Sequence, residues 1–217
     1  MIEKLLKAKH WQLFTLTYGI TLVFQIIVMG TLFSSIALSR NPDPFFLFDF
    51  MKYVPLLILV VGGVFFGWIW SVVIGLQTKV PDEAKMSLKR FKIFFFIPIV
   101  YLVVLALLIS YLTLDISTNT MNDGSITRFQ PNMAIIGGFV ALILPLHLFS
   151  MFCIFHSFYF VAKTIKSVEL QKSVEFSDYA GEFFLTWFFM IGVWILQPKI
   201  NKMVNNQEPE SYSSEIS

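Results

Sequence analysis

Four stretches of this chain contain no Asp, Glu, Lys or Arg: Trp11–Leu38, Tyr53–Gln77, Ile93–Leu114 and Met133–Ala162. The shortest of them has 22 residues. About 20 residues of α-helix, rising ~1.5 Å each, cross a hydrocarbon layer of roughly 30 Å. A backbone in lipid must close its own hydrogen bonds, so each stretch reads as a transmembrane helix despite its many Val, Ile and Phe residues. The first and fourth are longer than a crossing needs, and tilt or a protruding end absorbs the excess.

Composition agrees with the pattern. Hydrophobic residues make up 56% of the chain and charged residues only 14%, whereas a soluble domain carries about 25% charge. So apolar a chain cannot clothe a water-facing surface, which excludes an ordinary soluble enzyme, a nucleic-acid binder and a disordered tail protein. A single cysteine, Cys153, rules out an internal disulfide and a multi-cysteine metal cluster. Lys4, Lys7 and Lys9 precede the first span, and Ser35 and Ala37 resemble a signal cleavage site. The apolar run is far longer than the roughly 7–15 residues of a signal peptide, so it reads as an uncleaved signal anchor.

Orientation follows from the basic residues. Thirteen Lys and Arg fall in the N-terminal segment, Thr78–Lys92, Lys163–Glu182 and the tail, against Arg40, Lys52 and Arg128 in the other two connections. The positive-inside rule puts the richer side, including the N-terminus, in the cytoplasm. The last apolar stretch, Phe183–Leu196, is too short to cross, and it is loaded with Phe and Trp. Trp prefers the headgroup region, and Lys199 and Lys202 follow closely. The stretch therefore reads as a re-entrant or interfacial helix rather than a fifth span. The expected fold is an all-α integral membrane domain over residues 1–200: four transmembrane helices, a short C-terminal aromatic helix, and a disordered polar tail over 201–217.

Within this frame the most specific pattern is a small-residue stripe. Gly63, Gly67, Ser71 and Gly75 recur every four residues along the second span. Small residues at this spacing let two helix backbones approach, within one subunit or between copies. Gly137 and Ala141 repeat the spacing once in the fourth span. The connection Thr78–Lys92 reads as a short helix begun by Pro81, Asp82 and Glu83, which puts Lys85, Lys89 and Lys92 on one face. With Arg90 they either set topology or grip anionic headgroups or a partner. Ser177 is placed to cap a helix that carries Tyr179 and Glu182 into the aromatic stretch.

Catalytic signals are missing. There is no H-E-x-x-H and no G-x-S-x-G, and the spans hold no carboxylate. His147 and His156 lie nine residues apart on one helix, hence about 180° apart around it, and cannot share a metal. No metal, haem or other cofactor is expected. Gln25 and His147 are the residues from which a polar path through the membrane would be built. A lipid-modifying enzyme would instead use Glu182 and His156 beside the lysines, without a motif to support it.

Two segments carry a resemblance. Lys9-His10-Trp11-Gln12-Leu13-Phe14 opens the chain, and Gly181-Glu182-Phe183-Phe184, Trp187-Phe188-Phe189, Gly192-Val193-Trp194 and Gln197-Pro198-Lys199 close it. Both are similar to small multi-span membrane proteins of bacteroidete type, in which a proline often stands where Met190 is here. The resemblance implies a membrane location and transfers no functional residue. The function expected from all of this is a non-enzymatic scaffold or accessory subunit. It would work through helix packing and basic cytoplasmic surfaces, in contact with the lipid bilayer and with itself or another membrane protein, and not with nucleic acid. The rival is a small transporter or channel.

Overall fold

A computed structural model describes residues 2–38, 50–123 and 133–205. In chain order they form α1 (Ile2–Leu6), α2 (His10–Phe14), a π-helical turn (Thr15–Gly19), α3 (Ile20–Leu38), α4 (Val54–Leu76), α5 (Leu88–Asp123), α6 (Met133–Leu170), α7 (Phe176–Trp187) and α8 (Phe189–Asn205). Two 3-10 turns, Gln77–Lys79 and Asp82–Ala84, join α4 to α5. No strand occurs among the described residues. Four helical runs are long and apolar enough to cross a membrane: His10–Ala37, Val54–Lys79, Leu88–Tyr111 and Ala141–Leu170. Each overlaps one of the four uncharged stretches, and the last continues past Ala162 through Lys163, Lys166 and Glu169 to Leu170.

Several local expectations need correction. Thr78–Lys92 is not a helix: Pro81 is extended, the 3-10 turn Asp82–Ala84 ends at an extended Lys85, and α5 begins only at Leu88. Lys85 therefore shares no helical face with Lys89 and Lys92. The third span's helix runs to Asp123 rather than ending at Leu114, because neither Gly nor Pro interrupts it between Pro98 and Gly124. The cap of α7 is Glu175, not Ser177; its backbone N–H donates to Asp178 Oδ2 at 2.9 Å. The helix α8 passes through Pro198 to Asn205 and takes in the first residues of the expected tail. The connections at 39–49 and 124–132, with Arg40 and Arg128, and the remaining tail at 206–217 lie outside the described residues.

Close contacts divide the chain into two units. Unit 1 comprises Met1–Thr15, Val64–Phe91 and Phe155–Ser217; unit 2 comprises Leu16–Gly63 and Lys92–Ile154. Unit 1 has a packed interior in which Leu13, Trp68, Phe91, Ile165, Leu196 and Ile200 are fully buried. Aromatic rings lace it together: Trp68 and Phe65 meet Phe189 at 4.8 and 5.1 Å, Phe155 meets Trp187 at 5.0 Å, and Tyr159 meets Tyr179 at 5.7 Å. Such pairs add about 0.5–1.5 kcal/mol each beyond area burial.

Unit 2 buries little by comparison. Phe95, Ala106 and Cys153 are inside, while Leu22, Ile26, Phe33, Leu107, Leu142 and Phe152 are exposed. So much uncovered apolar surface is far beyond what a water-soluble monomer shows.

Candidate functional site

The C-terminal third of unit 1 is a helical hairpin. The expected single helix over Phe183–Leu196 is two helices, α7 and α8, separated at Phe188. The Phe188 N–H still donates to Phe184 O at 2.8 Å, and its ψ of 55° turns the chain back on itself. Gly192 is what lets the arms close. A Cβ there would overlap the Leu185 backbone carbonyl, so the two backbones touch where glycine provides no side chain. Around the turn, Phe184, Trp187, Phe188, Ile191, Trp194 and Ile195 are exposed, while Phe189, Val193 and Leu196 face inward.

The open end of the hairpin carries an ionic cluster. Lys199 of α8 lies 2.7 Å from Glu182 of α7 and 2.7 Å from Glu169 of α6. Lys166, one turn before Glu169, pairs with it at 2.8 Å and with Glu182 at 3.5 Å. Two lysines and two glutamates thus alternate and cancel in charge. The Glu182 side chain is only 10% exposed. A charge this buried is tolerated only with partners, because the desolvation cost otherwise exceeds what any single pair returns.

A second polar knot ties the two termini of the chain. Gln197 is fully buried. Its Oε1 accepts from Trp68 Nε1 at 2.7 Å, and its Nε2 donates to the carbonyls of Leu6 and Ala8, each at 2.9 Å. Asn201, one turn on, donates to Ala8 O at 3.1 Å. The last carbonyls of a helix have no partner within it, and α1 is too short to satisfy them. Here α8 supplies the missing donors. Beside this knot, α2 packs on the same helix, with Trp194 at 4.6 Å from the His10 ring and 5.5 Å from Phe14.

The C-terminus of α8 is closed in turn by Lys79, whose ammonium donates to the carbonyls of Met203 and Val204. A cation at the negative end of a helix dipole is favourable. Helix α6 ends at Gln171, a non-glycine residue with a φ of 49°, whose Nε2 donates to Val168 O at 2.8 Å and Lys79 O at 3.3 Å. Between these ends lies an open cleft of about 620 Å³, lined by Thr78, Lys79, Val168, Glu169, Gln171, Lys199, Lys202 and Met203.

The stripe is not one uniform contact. A Cβ at Gly63 would meet open space, whereas one at Gly75 would overlap the Leu6 side chain. Ser71 is buried and donates to Gly67 O at 2.7 Å. The occupant opposite Gly75 is therefore the N-terminal helix α1. In the fourth span Gly137 sits in α6 and Ala141 is exposed. Of the basic residues, Lys85 pairs with Asp82 and holds that carboxyl below the usual carboxylate range, while Lys89, Arg90 and Lys92 are exposed on α5. The polar-path residues fall in unit 2: Gln25 is exposed on α3, and His147 Nδ1 lies 3.0 Å from the Tyr101 hydroxyl. No hydrogen bond joins Gln25 to His147 among the described residues. Nor does any group of three His, Cys, Asp or Glu among them stand close enough to hold a metal.

Sequence reasoning named Glu182 but missed Gln197, Asn201, Lys166, Glu169 and Lys199 as a connected set. Lys166 and Glu169 are spaced for an i, i+3 pair, a signal that was available. Comparison of the chain with protein-family models, curated protein sequences and solved structures finds no match.

Proposed function

We propose that this chain is a non-enzymatic protein of the bacterial inner membrane, a scaffold or accessory subunit that works through helix packing. In this reading four helices span the bilayer with the N-terminus cytoplasmic, and the α7–α8 hairpin dips into the cytoplasmic leaflet without crossing it. The observation that carries the reading is the polarity of the hairpin. Its turn is rimmed by exposed Phe184, Trp187, Phe188, Ile191, Trp194 and Ile195, while further from the turn Glu182 and Lys199 pair between the arms. Aromatic residues of this kind favour the boundary between headgroups and acyl chains. The thirteen-to-three bias of basic residues supports the orientation.

Three measurements test this reading. A reporter active only outside the cytoplasm, fused after Ser217, stays silent if the hairpin returns; activity there makes the hairpin a further crossing. In a Cys153→Ala background, an impermeant thiol reagent labels Ser125→Cys in intact cells and spares Ser87→Cys; the reverse pattern inverts the topology. The accessory role predicts a discrete assembly larger than one copy in mild detergent, and no solute flux in proteoliposomes above the protein-free level. A monomer that carries solute would replace this reading with the transporter.

A further inference from the structure

We propose that the cleft lined by Thr78, Lys79, Gln171, Lys199 and Lys202 binds a phosphate group, supplied by the headgroup of an anionic glycerophospholipid. Charge in the cleft decides the sign of its ligand. The one carboxylate in the lining, Glu169, is already paired with Lys166 at 2.8 Å and Lys199 at 2.7 Å. The carbonyls at the end of α8 are covered by the Lys79 ammonium. What remains uncompensated is Lys202, exposed at the cleft wall and without an ion pair among the described residues, together with the net charge of Lys79. The Thr78 hydroxyl adds a neutral donor. Three lysines and one threonine lining one concavity suit a phosphate, whose oxygens accept several hydrogen bonds at once.

Size and depth favour the lipid over a soluble phosphate. About 620 Å³ is the volume of a small-molecule site and far exceeds what one phosphate ion fills. The candidate spans Val54–Lys79 and Ala141–Leu170 both end at this cleft, which puts it where acyl chains give way to headgroups. Basic pockets at that level between helices are suited to anionic headgroups. The choice of lipid rests on the membrane reading above; the phosphate chemistry does not.

The test uses the full chain in a neutral detergent, titrated with phosphatidylglycerol, phosphatidylcholine or inorganic phosphate and followed by native mass spectrometry. Phosphatidylglycerol is expected to bind more tightly than phosphatidylcholine. Lys202→Gln should weaken it about fivefold, as expected for one surface lysine near anionic lipid. Lys202→Arg should restore binding, and Lys4→Gln, exposed and outside the cleft, should leave it unchanged. Lys202 is exposed, so its replacement does not threaten the fold; an unchanged melting temperature confirms this. Binding of inorganic phosphate that is lost in Lys202→Gln, with phosphatidylglycerol and phosphatidylcholine bound alike, would assign the cleft to a soluble phosphate and remove the lipid from the proposal. No preference for phosphatidylglycerol, or equal binding by Lys202→Gln, would overturn it. Extraction of the protein from membranes by alkaline carbonate would instead sink the membrane reading, an outcome independent of the cleft measurement.

Discussion

In unit 2 the hydroxyls of Thr21, Ser34 and Ser110 each donate to the carbonyl four residues earlier, as do those of Thr31 and Thr113. In unit 1 Ser71 and Thr186 do the same, but other polar groups reach across the chain: Gln197 to Leu6 and Ala8, Trp68 to Gln197, Lys79 to Val204, and Lys199 to Glu169. The first solution requires nothing of the surroundings and suits a helix whose neighbours are apolar. The second depends on tertiary structure and ties distant segments into one body. Unit 2 thus holds its polar atoms the way a segment solvated by lipid must, and unit 1 the way a folded interior does. Burial follows the same division: Trp68, Ile165 and Gln197 of unit 1 are fully buried, whereas Leu22, Ile26 and Leu142 of unit 2 are exposed.

Gln197→Leu should break this contrast most severely. It removes one acceptor and two donors at once, leaving Trp68 Nε1 and the Leu6 carbonyl without Gln197, while Ala8 O keeps the Asn201 amide. Each unsatisfied buried group costs about 1–3 kcal/mol, and the sum is less than additive. A loss of about 3–4 kcal/mol is expected, seen as a large drop in melting temperature in detergent. Trypsin should cut after Lys4 and Lys7 much faster, because α1 loses its anchor. Protease resistance equal to wild type would mean the Leu6–Gly75 contact holds the N-terminus alone.

Gly192→Ala follows. Its Cβ would overlap a backbone carbonyl rather than a movable side chain, so α7 and α8 must separate. Overpacking of this kind costs about 1–3 kcal/mol. The same substitution at Gly63, where a Cβ meets nothing, is expected to change stability little and to favour the helix slightly. Equal melting of the two variants would show that the hairpin is not closed at Gly192.

How far this was legible in the sequence differs between the units. The four long apolar helices needed only the absence of charge over 22 or more residues to be read. The turn at Phe188 was hidden, since no Gly, Pro or Asn marks it; tertiary packing of Phe189 on Trp68 and Phe65 fixes the chain there. Gly192 was visible as a glycine, but its reason, the approach of Leu185, is a contact between two arms whose existence the sequence does not announce. Gln197 reads locally as a polar residue ending an apolar run. Only the fold reveals that its partners lie at Leu6 and Ala8, near the other end of the chain. Lys166 and Glu169 were readable as a pair within one helix, whereas their link to Lys199 requires α8 to return beside α6.

Lys199→Met should cost less than Gln197→Leu and about as much as Gly192→Ala. It leaves Glu182 and Glu169 to share Lys166, whose distance to Glu182 is already 3.5 Å. Breaking a fully buried pair costs about 3–5 kcal/mol. The lysine is 23% exposed and Glu169 34%, so water screens part of the loss and about 2 kcal/mol is the expectation. Replacing Glu182 with Gln in the Lys199→Met background should recover part of the stability, because the uncompensated charge is then gone. No recovery would mean that Lys199 acts through packing of its aliphatic stem.

Ser34→Ala in unit 2 gives the smallest effect and the sharpest contrast. The Ser34 hydroxyl donates to Gly30 O at 2.8 Å, a carbonyl of its own helix. In a helix that carbonyl also accepts from the backbone four residues on, so loss of the hydroxyl leaves no group without a partner. Alanine is moreover the better helix former. The expected change is within about 0.5 kcal/mol, hence no resolvable shift in melting temperature. Tyr101→Phe tests the exception, since the Tyr101 hydroxyl meets His147 Nδ1 on another helix at 3.0 Å. Its loss should cost about 0.5–1.5 kcal/mol, the net worth of one hydrogen bond. The order Tyr101→Phe worse than Ser34→Ala is what separates a bond between helices from a bond within one. A Ser34→Ala variant that melts as low as Gln197→Leu would erase the distinction between the units, because a locally satisfied hydroxyl would then matter as much as a tertiary knot.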